Sequence, residues 1–223
     1  MRARRMGVQS ARETAIANRA MRLHLGAIPQ SRDFTGDPGW RPIREPNPVL
    51  MQVFAVPVGF AAAFVVGWCW YLIFTRLGPL PSRLTLPPSI LLLSFPYIVV
   101  IHELIHASLH PEHGRSHSSI LGFWPSRLLF YAHFDGTLSR NRFLAILVAP
   151  FLVISILPLL VAVVSPLDPT RGLLAIAWCS TLNALMACGD LLGLGVVGLQ
   201  VPRAALVQNH GWRTYWRSAD PAG

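Results

Sequence analysis

The chain alternates four long, nearly charge-free runs with Arg-bearing segments, a pattern that few folds outside a lipid bilayer accept. The runs cover about residues 49–74, 88–110, 143–164 and 172–201. A helix rises about 1.5 Å per residue, so each run is long enough to cross, or nearly cross, a hydrocarbon layer about 30 Å thick. Composition agrees: apolar residues make up 52% and charged residues 13%, against about 25% charged in soluble domains. The expected fold is therefore an all-α polytopic membrane protein with about four transmembrane helices. Residues 1–48 form a basic tail, 49–201 a single membrane-embedded domain, and 202–223 a second tail. The multi-pass architecture makes the lipid bilayer an obligatory partner.

Local signals refine this outline. Trp68, Trp70 and Tyr71 lie near the end of the first run, as an interfacial belt would. Pro96 predicts a kink before the end of the second run, and Pro150 and Pro158 break the third. Met1–Leu25 reads equally as a basic amphipathic helix on an anionic leaflet or as a disordered tail. Between the second and third runs, 120–124 and 128–134 read as strands separated by Pro125-Ser126-Arg127, which predicts a small β-hairpin.

The net charge of +9 comes from 19 Arg and no Lys, placed almost wholly between the apolar runs. That placement marks membrane flanks rather than a nucleic-acid surface, and no nucleic-acid partner is expected. Taken in order, the polar segments hold nine, two, four, one and three Arg. The odd-numbered segments are the richer ones. Both termini and the hairpin segment are therefore expected on the cytoplasmic side of the cell membrane. Cys69, Cys179 and Cys188 lie in apolar runs with no CxxC spacing and read as packing residues.

The chemistry concentrates in His102-Glu103-Leu104-Ile105-His106. On a helix, positions four apart share a face, so two neutral imidazoles can hold one zinc ion. Glu103 can then accept a proton from a water held beside that ion. Ionisable groups inside hydrocarbon are costly and usually functional.

A catalytic zinc takes three protein ligands and keeps a position open. His110 lies too far along the axis to join His102 and His106, and Pro111 ends the helix there. Asp190 is the candidate third ligand. It stands in an apolar stretch, where an unpaired carboxylate costs about 2.5–3.5 kcal/mol on insertion scales. Counted along their runs, His102 and Asp190 fall in one layer. Asn183, seven residues before Asp190, shares its face and could orient a substrate carbonyl or stabilise an oxyanion, or else bond helix to helix. The expected catalytic residues are thus Glu103 and Asn183, with His102, His106 and Asp190 on a single Zn2+. Leu129 and Tyr131, on the hairpin, are expected to bind an extended substrate peptide by strand addition. No role is assigned to His110, His113, His117 or His133.

These residues resemble a known family. An HExxH near the end of one span and an Asn…Asp pair on a later one are similar to site-2-protease-type intramembrane zinc peptidases. More closely, His102 to Ala107, Tyr131-Ala-His133, Leu147-Val-Ala-Pro-Phe151, Asn183, Gly189-Asp190 and Val201-Pro202 resemble the small bacterial putative zincin peptidase group. The resemblance implies that His102, His106 and Asp190 bind zinc and that Glu103 is the base. It implies hydrolysis of peptide bonds in membrane or membrane-proximal substrates. The chain departs from the better-studied branch in lacking Asn-x-x-Pro before the Asp, Leu-Asp-Gly and a PDZ-like insertion. Two other readings stay open: a metal-handling membrane protein, and a catalytically inactive binding module of the same fold.

Overall fold

The computed structural model describes residues 20–31, 34, 36–37, 39–78, 85–165 and 168–219. Five helices make the body: α1 Pro48–Arg76, α2 Pro88–Ser108, α3 Arg140–Val164, α4 Arg171–Met186 and α5 Cys188–Gln200. The first three are long and apolar enough to cross a membrane. The bent pair α4–α5 makes a fourth span if counted as one. Side chains such as Phe60, Phe64, Leu92 and Tyr97 stay exposed on the outer faces, as lipid-facing residues would.

Caps set the helix starts. Asn47 accepts from the Leu50 N–H, Ser139 from Arg142 and Thr170 from Leu173, each meeting an orphan donor of the first turn. Pro48 and Pro88 sit at first-turn positions, where a missing N–H costs nothing. Within α3, residues Phe151–Ile156 relax into a π-helical turn between Pro150 and Pro158. Two prolines eight residues apart remove two donors from the ladder, and the wider turn absorbs the mismatch.

The run expected as one span over 172–201 is broken at Ala187, where α4 and α5 meet at 48°. Trp70, expected in an interfacial belt, is instead buried in the core of α1, α3 and α4 and donates to Ser180 Oγ. Only Trp68 and Tyr71 are exposed, with ring centroids 5.3 Å apart.

The all-α expectation fails on the polar segments, which fold into two small sheets. One has the order β1 (Arg22–Leu25), β3 (Ser119–Trp124), β4 (Leu129–Phe134), with β1 parallel to β3 and the expected hairpin antiparallel. The expected N-terminal amphipathic helix lies mainly outside the described residues, and its end is strand β1. The other sheet has the order β2 (Arg41–Pro42), β7 (Arg213–Ser218), β6 (Ala205–His210), β5 (Leu138–Ser139). Its central hairpin turns through Gly211 and Trp212, with Gly211 at φ 61°, a left-handed value that suits glycine. The two segments expected as separate tails therefore pair with each other. Val207 and Ile43 of this sheet pack against Val197 and Val201 at the end of α5.

Candidate metal centre

His102 and His106 lie one turn apart on α2, both almost fully buried, and their imidazoles point the same way. The broken fourth run brings Asp190 to them from the first turn of α5. His102 Nε2 lies 2.8 Å and His106 Nε2 3.3 Å from Asp190 Oδ2, and the two Nε2 atoms are 3.1 Å apart. Three ligating atoms thus converge on one point. The expectation that His102 and Asp190 occupy one layer agrees with this geometry.

The outer nitrogens are already committed. His106 Nδ1–H donates to the Ile146 carbonyl at 2.7 Å. That carbonyl is free because its helical partner would be the N–H of Pro150, which proline lacks. A carbonyl only accepts, so Nδ1 carries the proton and Nε2 of a neutral ring presents its lone pair to the site. His102 Nδ1 likewise donates to Asn183 Oδ1 at 2.9 Å. Two such lone pairs 3.1 Å apart beside a carboxylate suit a cation shared among them, and two imidazoles with one carboxylate are zinc chemistry. The residues fit the ion.

Of the two roles open to Asn183, a substrate contact or a bond from helix to helix, the structure shows the second. It is fully buried, and its amide nitrogen donates to Pro150 O at 3.1 Å and Ser155 Oγ at 2.9 Å. With its oxygen on His102, it has no group left for a substrate. It acts behind the ligand, holding the imidazole in its tautomer. The support continues outward. Ser155 Oγ donates to Ser180 O, Ser180 Oγ donates to Ser155 O, and Trp70 Nε1 donates to Ser180 Oγ. This lattice ties α1, α3 and α4 to His102. Pro150, Ile146, Ser155 and Ser180 were not singled out as site residues from sequence. The one available signal was a proline inside an apolar span.

Glu103 follows His102 on the helix and lines a cavity of about 570 Å³ shared with His102, His106 and Asp190. Its Oε2 is buried without a hydrogen-bond partner, while the backbone N–H of Ala132 faces its carboxylate. An orphaned buried carboxylate oxygen beside three side chains that could hold a metal is free to accept a hydrogen bond from an incoming group. Gly189, beside Asp190, meets nothing within 4 Å of where a Cβ would stand. A close approach of backbone occurs at Gly59, whose Cβ would lie 2.6 Å from Leu185 O.

The hairpin runs beside the site with β4 as its outer edge. Leu129 and Tyr131, expected to take a substrate strand, line the cavity, but their amides do not form the free edge. Gly26 N–H donates to Phe123 O, so Phe123 faces β1 and its neighbours Gly122 and Trp124 face β4. Their partners Tyr131 and Leu129 are then spent in the ladder. Phe130 and Ala132 point outward, in agreement with the Ala132 N–H at Glu103.

Of the four unassigned histidines, His110 is buried at the end of the motif helix and pairs Nδ1 with Ser119 Oγ at 3.1 Å. His133 is buried with Nε2 unpartnered. Burial pushes both down to about pH 4, keeping them neutral. The His117 carbonyl accepts from Arg22 Nε, which helps hold β1.

The sequence model of the putative zincin peptidase family matches residues 95–206, half of the chain, from α2 to the start of β6. No curated protein matches the chain, and no solved structure does.

Proposed function

The chain belongs to the putative zincin peptidase family, and from that membership we propose a membrane-embedded zinc metallopeptidase acting on membrane or membrane-proximal proteins. One observation carries the reading. The convergent Nε2, Nε2 and Oδ2 atoms of His102, His106 and Asp190 share a cavity with the unpartnered Oε2 of Glu103.

His102, His106 and Asp190 would hold the ion through three contacts and leave a position open for substrate. When bound, zinc supplies a Lewis acid that polarises a carbonyl and acidifies a water. Glu103 accepts that water's proton at a carboxylate oxygen as the water attacks the scissile carbonyl, then passes it to the leaving amine. Ile146 and Asn183 keep the imidazoles from turning while this happens. A substrate helix must unwind first, because its carbonyls are tied up in helical bonds. The outward amide of Phe130 offers an extended peptide new partners beside Glu103. Among the described residues only one cluster of three ligating side chains is found, which favours hydrolysis over metal passage. The Arg distribution supports a cytoplasmic mouth for the cavity and cytoplasmic termini.

Zinc content and peptide cleavage of the detergent-purified chain test the reading, with Glu103→Gln beside wild type. Wild type is expected to carry about one zinc and to cleave a transmembrane peptide. Glu103→Gln should keep the zinc and lose about 10²–10⁴-fold in rate. Undiminished cleavage in the variant, or wild type without zinc, would overturn it.

A further inference from the structure

The cavity that holds Glu103 is roofed by the second sheet, and its roof carries a carboxylate that the mechanism does not use. Glu45 stands three residues before α1, at the boundary between the polar sheet and the apolar helices, and lines the same cavity as the three ligands. It is held in place. Ile43 N–H donates to Thr214 O at 3.1 Å, and Thr214 N–H donates to Glu45 Oε1 at 2.7 Å. Its other oxygen has no hydrogen bond, and Glu45 makes no ion pair, among the described residues.

The charge of the lining is lopsided. Three of the chain's ten acids, Glu45, Glu103 and Asp190, line the cavity, and none of its nineteen Arg does among the described residues. Asp190 faces the two histidines and Glu103 is assigned to the proton transfer, which leaves Glu45 as the lining carboxylate with no ion pair and no role in the reaction. A partly buried carboxylate with one oxygen unmet favours a cation that brings its own donors. Membrane-protein segments carry Lys and Arg just outside their apolar stretch, and Glu45 sits just outside the apolar stretch of α1.

We propose that Glu45 is a specificity-determining residue that selects substrates bearing an Arg or Lys beside the segment to be cut. This deepens the peptidase reading above and rests on it. The Thr214 bond gives Glu45 a structural role as well, but that role needs only an acceptor oxygen. Glu45→Gln keeps an acceptor and removes the charge, which separates the two roles.

The test uses full-length protein in detergent and three labelled transmembrane peptides that differ only in one flanking residue, Arg, Gln or Glu. Binding is read on Glu103→Gln protein, by anisotropy, so that it does not depend on turnover. The Arg peptide is expected to bind about tenfold more tightly than the Gln peptide and the Glu peptide more weakly than either. Adding Glu45→Gln should bring the Arg-to-Gln ratio to about one, with zinc content unchanged as the check on folding. In wild type the same ratio should appear in KM rather than kcat. An unchanged ratio in Glu45→Gln, or no preference to begin with, overturns the proposal while leaving the peptidase reading intact. Wild type that binds with the expected ratio but never cleaves defeats the peptidase reading alone.

Discussion

His102 and Asn183 show how much a single side chain depends on what stands behind it. The imidazole can offer Nε2 to a cation only while Nδ1 holds its proton, and Asn183 Oδ1 is the acceptor that keeps it there. Asn183→Ala is therefore expected to weaken zinc affinity by about 10–100-fold, measured by chelator competition. Ser180→Ala, one bond further out, should lower the melting temperature while leaving affinity near wild type. Equal affinity losses in both variants would mean that the lattice acts as one unit rather than through Asn183. The cluster of His102, His106 and Asp190 that could hold a metal was legible because its chemistry is local: two histidines at helical spacing, and a carboxylate too costly to leave unpaired in an apolar run. Asn183 was legible only by face. Periodicity shows which side of a helix a residue occupies, not how deep its side chain lies or which neighbour uses it up. Pro150 works through an absence, an N–H that is not there to take the Ile146 carbonyl, and no side-chain motif announces that.

At the scale of elements, the hairpin and the second sheet make opposite lessons. The hairpin was readable because alternation and a Pro125-Ser126-Arg127 break lie within fifteen residues of chain. The second sheet joins strands from positions 41, 138, 205 and 213. Two of these are only two residues long, so no window on the sequence contains the pairing that stabilises them. The break at Ala187 was missed for a related reason: a Gly-rich apolar run reads as one long helix, and only packing against α1 and α3 shows where it must bend. The hairpin's register yields a prediction at this level. Phe130→Pro removes an outward N–H from β4 and spares the ladder to β3, so cleavage should fall by about tenfold with zinc retained. Leu129→Pro or Tyr131→Pro should instead lower the melting temperature, because their amides belong to the β3–β4 ladder. A Phe130→Pro protein that cleaves at the wild-type rate would remove strand addition from the mechanism.

For the molecule as a whole, buried ionisable groups outside the spans set opposing pH trends in stability. Burial lowers His110 and His133 from an ordinary value near 6.5 to about 4. The folded protein therefore keeps them neutral where the unfolded chain would protonate them, and stability falls as the pH drops from about 6.5 toward 4. His133 is faced by Asp135, which favours its charge, and by Arg22, which opposes it; His110 is faced by His106, His133 and Arg142, all opposing. Glu45 runs the other way. Burial raises it to about 7 against the bonds from Thr214 and the pull of Arg213, so the folded state prefers its protonated form. Its contribution is lost as the pH rises from about 4.5 through 7. The two trends overlap near pH 5–6, and the chain should be most stable where neither has been fully lost. Removing one group at a time separates them. Glu45→Gln should raise the melting temperature relative to wild type at pH 8 more than at pH 5, since it deletes a charge that is buried only above neutrality. His133→Phe should flatten the loss between pH 6.5 and 4 and leave pH 8 nearly unchanged. Melting curves of the three proteins at pH 5, 6.5 and 8 check both signs, and a Glu45→Gln benefit larger at pH 5 than at pH 8 would contradict the burial that raises Glu45.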